Sequence, residues 1–429
     1  MPVFSIFKST VLCLSLMLSA CGQQKKTTPK SVTLSAVEVP NSNTGNEQIV
    51  IAANRTTAYL PLLKNKNVGV IANQTSVIFK NRKSIRNQPE TLNQKPEPYV
   101  HLVDSLLTLD VDIKKVFAPE HGFRGKADAG EHVTDGVDTQ TGLPIISLYG
   151  KNQKPSPEQL KGLDVVLFDV QDVGVRFYTY IATLQLVMEV CAEAGIPVVV
   201  LDRPNPNAHY VDGPTMETKH TSFLGMNEIP LVYGMTIGEY AQMVNEEGWL
   251  ENGLKVDLTV VELENYDHQT EYSLPIRPSP NLPNDQSINL YPSLGLFEGT
   301  NINAGRGTKF QFQRYGASFL DSTAYAFSYV PKPNFGSKYP KEKGKICYGK
   351  DLSDYPKINS VSLQWLMDAY QNCTDKSKFF NTSGFTKHAG TEKLQQQIEA
   401  GLSEAEIKAT WQADLERFKK IREKYLMYD

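Results

Sequence analysis

Residues 165–201 read VVLFDVQDVGVRFYTYIATLQLVMEVCAEAGIPVVVL. The stretch opens on Val165–Asp169, apolar and β-branched up to its final carboxylate, as in a strand covered on both faces. Ile181, Leu184, Met188 and Cys191 then recur at helical spacing, and Gly195 can take the left-handed conformation that closes a helix. Pro197–Leu201 is a second continuous apolar run. Strand, helix and strand in so short a span is the repeating unit of a parallel sheet.

The same rhythm extends outward. Ile49–Ala52, Val68–Ala72, Lys115–Ala118 and Ile145–Tyr149 are further strand candidates. Ser156-Pro157-Glu158 offers an N-cap with proline at the first helical position. Thr236-Met-Ile-Glu239 reads as a capping box for a helix running toward Val244. The pattern predicts a doubly wound α/β domain over residues 49–275, and a smaller α+β part over 276–429. Arg277–Gly316, crowded with Pro, Asn and Gly, reads as long ordered loops over a cleft. In the second part Ser360–Tyr370 and Thr391–Ala400 look helical, and Ser403-Glu-Ala-Glu406 opens a final helix to Tyr425.

The N-terminus carries a different signal. Val11–Leu18 is an apolar run too short to span a bilayer, preceded by Lys8 and followed by Ser19-Ala20-Cys21. This is the layout of a signal peptide over residues 1–21 whose cleavage leaves an acylated Cys21. Residues 22–48 are polar and poor in apolar side chains, which suits a tether. The expected location is the cell envelope, on the periplasmic face or cell surface of a bacterial membrane, held by lipid alone.

The whole sequence has ordinary globular composition, with 40% hydrophobic and 21% charged residues and a formal net charge of −3. Without a basic run, nucleic acid is not an expected partner. Cys191 reads as a buried thiol, while Cys347 and Cys373 could pair; three cysteines are too few for a disulfide framework.

In a doubly wound sheet, ligands bind beyond the carboxyl ends of the strands. Here those ends are polar: Asn73-Gln74-Thr75 after one strand, Glu120-His121-Gly122 after another, Gln171-Asp172-Val173-Gly174 with Arg176 and Tyr178 after a third, and Asp202-Arg203-Pro204-Asn205 after a fourth. No phosphate loop or nucleophile elbow is present, and the glycines around Arg306 lack dinucleotide spacing. No cofactor or metal is expected. Carboxylates with amide and guanidinium groups suit the hydrolysis of a glycosidic bond.

These residues also carry a resemblance. Phe117-Ala-Pro-Glu-His-Gly-Phe-Arg-Gly125, Ala129-Gly-Glu131, Thr141-Gly-Leu-Pro144 and Ser147-Leu-Tyr-Gly150 follow one another as in the exo-β-N-acetylmuramidases, long catalogued as a domain of unknown function. So do Asp169–Tyr180, Leu201–Pro206, Pro278–Pro283, Phe297–Asn301 and Gly305–Thr308. One departure is Gln311, where proline is expected before Phe312, which bears on local loop shape. The resemblance implies a Rossmann-like domain with a smaller C-terminal domain, and release of N-acetylmuramic acid from the non-reducing ends of peptidoglycan fragments.

Glu120 is the first choice for a catalytic carboxyl, with His121 beside it to polarise the acid or bind a hydroxyl; a loop-bracing carboxylate is the alternative. Glu131, Asp169, Asp172 and Glu298 compete for the second carboxyl. Arg176, Arg203 and Arg306 are candidates for the lactyl carboxylate of muramic acid. Tyr178 and Tyr180 suit stacking on a sugar. Asn73, Gln74, Gln171, Asp202, Asn205, Asn281 and Asn301 complete the candidate polar rim, although asparagine in a turn is often only turn chemistry. A non-catalytic envelope protein that binds muropeptide sugars is the second hypothesis, and an esterase or amidase on the same polymer a third.

Overall fold

The computed structural model describes residues 48–80, 98–125 and 135–428. The expected signal peptide, nearly all of the tether, Cys21 and Glu131 lie outside these residues.

The first part alternates as its sequence suggests. Helix α1 (Thr56–Leu63) leads into β1 (Val68–Ala72), and a small antiparallel pair, β2 (Val77–Phe79) and β3 (Tyr99–His101), precedes α2 (Leu102–Thr108). Then come β4 (Ile113–Ala118), β5 (Gly136–Val137), β6 (Pro144–Ser147), α3 (Pro157–Leu160), β7 (Val165–Asp169), α4 (Tyr180–Ala194), β8 (Val198–Leu201), α5 (Ile237–Glu246) and β9 (Leu258–Val261).

The large sheet has the order β5-β6-β4-β1-β7-β8-β9. Every pairing in it is parallel except β5 with β6. Numbered along the chain, its parallel strands fall in the order 3-2-1-4-5-6 of a Rossmann sheet. The order reverses between β1 and β7, so the crevice opens beyond Ala72 and Asp169.

Local chemistry sets the ends of the elements. Thr236 forms the capping box read from sequence, Ser156 caps its helix as expected and also forms a capping box with Gln159, and Gly195 closes α4 at φ 67°. All five residues of β1 and of β7 are buried, as continuous apolar strands must be. Ile49–Ala52, expected as a strand, is not one. Val50 makes a single bridge to Glu264, after which the chain turns into a 3-10 helix at Ala52–Asn54. Strand β9 was not foreseen: its run Leu258-Thr-Val-Val261 is short, lies between Asp257 and Glu262, and has only Val261 buried.

The second part contains α6 (Asp285–Leu294) and a small antiparallel sheet of β10 (Arg314–Ala317), β11 (Phe327–Tyr329) and β12 (Cys347–Asp351), in the order β10-β12-β11. Helices α7 (Gln364–Gln371), α8 (Thr382–Ala389), α9 (Lys393–Glu399), α10 (Glu404–Ala409) and α11 (Gln412–Arg422) complete it. Arg277–Gly316 is thus not loop throughout. Asn284 caps α6 through a side-chain bond to the Ser287 amide. The final helix breaks in two around buried Trp411. Cys347 and Cys373 are both buried and free, so the possible disulfide is not formed.

Candidate active site

Beyond β4 the chain reverses abruptly. His121 and Gly122 take φ of 74° and 75°, and the Gly122 amide donates to the Pro119 carbonyl at 3.0 Å. A left-handed histidine is uncommon, and such strain gathers where a side chain must be aimed. The turn places half-buried Glu120 at the rim. Tyr149, in the loop after β6, hydrogen-bonds the Glu120 carboxylate; burial, then that carboxylate's charge, push the phenol up. Tyr180, at the start of α4, donates to the Glu120 carbonyl at 3.3 Å. Asn73, at the end of β1, turns its Oδ1 to the Thr75 amide and hydroxyl, and its Nδ2 faces Tyr180.

The opposite wall comes from the second part. Glu298 stands in a 3-10 turn, Gly295–Gly299, and accepts from Arg306 Nε at 3.1 Å. Burial opposes the charge of Glu298, but Arg306, Lys341 and His388 outweigh it and hold the carboxyl below its usual range. Lys341 Nζ donates to the carbonyls of Phe297, Glu298 and Thr300 at 2.9, 3.0 and 2.6 Å, fixing the turn. Arg306 lies over the Phe312 ring at 5.3 Å, and Phe312 meets Tyr291 edge-on at 4.7 Å. Glu120 and Glu298 both act electrostatically on Arg306 and on Tyr291. Two carboxyls from different parts of the chain therefore face one guanidinium and a tyrosine layer.

The profile described as exo-β-N-acetylmuramidase NamZ, N-terminal, matches residues 68–286, and its C-terminal counterpart matches residues 289–428. The chain belongs to the NamZ exo-β-N-acetylmuramidase family. It is 37% identical over 388 residues to the peptidoglycan β-N-acetylmuramidase NamZ of Bacillus subtilis (strain 168), covering 86% of this chain and 89% of that one. Two crystal structures of DUF1343 family proteins from Bacteroides fragilis NCTC 9343 are also similar. One has a TM-score of 0.78 at 41% identity, covering 89% of this chain and 99% of its own. The other has a TM-score of 0.73 at 26% identity, covering 89% and 100%.

In this NamZ-family chain several candidate rim residues prove to be engaged within the protein. Arg203 Nε and Nη2 bind both oxygens of Asp169 at 2.6 and 2.8 Å, with both side chains buried, so neither faces a sugar. Arg176 is wholly buried and donates to the carbonyls of Pro214, Ile229, His388 and Ala389. Two of those carbonyls end α8, where a cation is favoured, so Arg176 joins the two parts and is not a lactyl receptor. Asp172 Oδ2 accepts from Tyr233 and the Gly174 amide; burial pushes this carboxyl up to about 6. It lies among buried tyrosines and is not the second carboxyl at the rim. Asp202 accepts from Thr236, Gly238, Tyr428 and its neighbour Arg203, which fixes the start of α5.

The amides divide in the same way. Gln171 bonds the Asp172 and Pro204 carbonyls, and Asn205 bonds that of Met235. Asn301 is exposed and ties the Lys378 carbonyl. Gln74 and Tyr178 both donate to the Pro278 carbonyl, and Asn281 Nδ2 to that of Gly336, so these three shape the loop over the crevice. Tyr178 and Tyr180 meet edge-on at 4.8 Å, which leaves neither as an open stacking face. Tyr149, Tyr291, Lys341 and His388 had no assigned role. Tyr149 lies inside the quoted Ser147–Gly150 motif, so a signal existed for it. Tyr291 reads as core in an amphipathic helix, and Lys341 is one of several lysines in a polar loop.

Proposed function

We propose that this protein is a glycoside hydrolase that releases N-acetylmuramic acid from the non-reducing ends of peptidoglycan fragments, in cell-wall turnover and recycling. The observation that carries the reading is Glu120, held at a parallel-strand end by Tyr149 and facing the Glu298–Arg306 pair. Glu120 protonates the glycosidic oxygen as the bond to the anomeric carbon breaks. Glu298, kept ionised by Arg306, opposes the positive charge that develops on the sugar. Water then adds to the anomeric carbon and its proton returns to the site. The direct test is incubation with glycan fragments ending in N-acetylmuramic acid, with mass spectrometry of the products. Tight binding without free N-acetylmuramic acid would make this a binding protein.

Of the three arginines, Arg306 alone keeps a partly exposed side chain, at 24%, and is our choice for the lactyl carboxylate. Arg306→Ala should cost about 1.5–3 kcal/mol in kcat/KM on N-acetylmuramyl substrates, the worth of a hydrogen bond to a charged group. Matched N-acetylglucosaminyl substrates should lose less. Parallel loss on both would restrict Arg306 to holding Glu298.

We also propose that Cys21 is acylated and that the lipid holds the protein at the cell envelope, because an apolar run ends in Ser19-Ala20-Cys21. Wild type should partition into detergent and Cys21→Ser should not. Equal partitioning would remove the anchor.

A further inference from the structure

Eight large hydrophobic side chains are markedly exposed among the described residues, and five of them, Phe310, Val330, Phe335, Tyr339 and Ile346, lie between residues 310 and 346. Single exposed apolar residues are ordinary, but two wide-open aromatic rings four residues apart on one connection call for a role. The two most open aromatic rings are Phe335 and Tyr339, at 62% and 88%. Both belong to the connection from β11 to β12.

That connection is pinned to the active site on either side of these rings. The tight turn Asn334–Ser337 bonds Thr308 through Asn334 Nδ2 at 2.8 Å and receives Asn281 Nδ2 on the Gly336 carbonyl at 2.7 Å. Asn281 sits in the Pro278–Pro283 loop that Gln74 and Tyr178 hold over the crevice. On the other side Lys341 is bonded to Phe297, Glu298 and Thr300. Pro340 packs so closely on Gly307, the residue after Arg306, that any side chain there would collide with it. Each exposed ring is thus one residue from an anchor, Phe335 beside Gly336 and Tyr339 beside Pro340. The segment is fixed, and its rings have no role in holding it.

We infer that Phe335 and Tyr339 form a stacking platform for the sugars on the leaving-group side of the scissile bond. This rests on the glycosidase reading above. The groups beside a terminal sugar held by Glu120 and Glu298 are partly open, Arg306 at 24% and Glu298 at 23%, so the rest of the glycan leaves toward solvent on that side. Phe335 and Tyr339, on the segment that Asn281 and Lys341 tie to that site, are the exposed rings available to the departing part of the glycan. Pyranose rings present a face of C–H groups, and an aromatic side chain covers such a face at small conformational cost, having only two side-chain torsions.

The test uses the full-length protein and two substrates. One is a tetrasaccharide of alternating N-acetylmuramic acid and N-acetylglucosamine with the former at its non-reducing end. The other is nitrophenyl β-N-acetylmuramide, whose leaving group carries no sugar for the rings to cover. The Phe335→Ala/Tyr339→Ala double variant should raise KM for the tetrasaccharide about tenfold, roughly one good aromatic contact. Its KM for the nitrophenyl substrate and its melting temperature should not change, and Tyr339→Phe should behave as wild type. An unchanged tetrasaccharide KM, or equal losses on both substrates, overturns the platform. If wild type cleaves neither substrate, the glycosidase reading fails on its own. Calorimetric affinities of wild type and double variant for the tetrasaccharide then decide the platform, which stands only if the variant binds more weakly.

Discussion

Glu120→Gln should slow release of N-acetylmuramic acid by about a hundred- to ten-thousand-fold, the usual contribution of general acid catalysis. Glutamine keeps the length of the side chain and an oxygen to accept from Tyr149, so the wall formed by Tyr149 and Tyr180 has no reason to move. What it lacks is the transferable proton. The loss should therefore fall on kcat for a sugar leaving group, with sugar affinity and melting temperature nearly unchanged. A nitrophenyl leaving group needs little protonation and should be partly spared, which separates lost acid catalysis from misfolding. A folded Gln variant with full activity on the sugar substrate would remove Glu120 as the acid. Glu298 would not simply inherit the role, because its pairing with Arg306 favours the ionised form.

How far the sequence could be read depends on whether a residue's environment is local. Strands β1, β7 and β8 were legible because burial on both faces demands continuous apolar runs, and such runs show within a few residues; β4 and β6, only partly buried, were still marked by the short apolar runs Val116–Ala118 and Ile145-Ile146. Capping at Ser156, Thr236 and Ser403 was legible for the same reason, since the bonded groups are three residues apart. Edge strand β9, whose run Leu258-Thr-Val-Val261 has only Val261 buried, was not singled out. The site was legible only to the level of the rim. Glu120 and Glu298 were both named, but their neighbours Tyr149 and Lys341 were not, because those contacts join loops distant in the chain. Three arginines near strand ends or in glycine-rich loops look equivalent along the sequence. They differ in what surrounds them in space: four carbonyls for Arg176, Asp169 for Arg203, and a partly open carboxylate for Arg306.

Arg203 gives the second large expected effect, on stability rather than chemistry. Its side chain is 3% exposed and that of Asp169 is 0% exposed, and the pair meets through two bonds at 2.6 and 2.8 Å. Arg203 Nη2 also reaches the Val77 carbonyl, so the pair braces β2 against the ends of β7 and β8. Arg203→Met matches the length of the side chain but leaves the Asp169 carboxylate buried without its partner. Breaking a buried pair in this way costs about 3–5 kcal/mol, because the remaining charge is uncompensated. Replacing both members removes the charge as well, so Arg203→Met/Asp169→Leu should recover most of the loss. Urea denaturation of the wild type, both single variants and the double variant measures the coupling. Below its melting temperature, Arg203→Met should keep near-normal kcat/KM on N-acetylmuramyl substrates, since both side chains are buried and bonded to each other. A variant as stable as wild type that selectively loses N-acetylmuramyl activity would return Arg203 to substrate recognition.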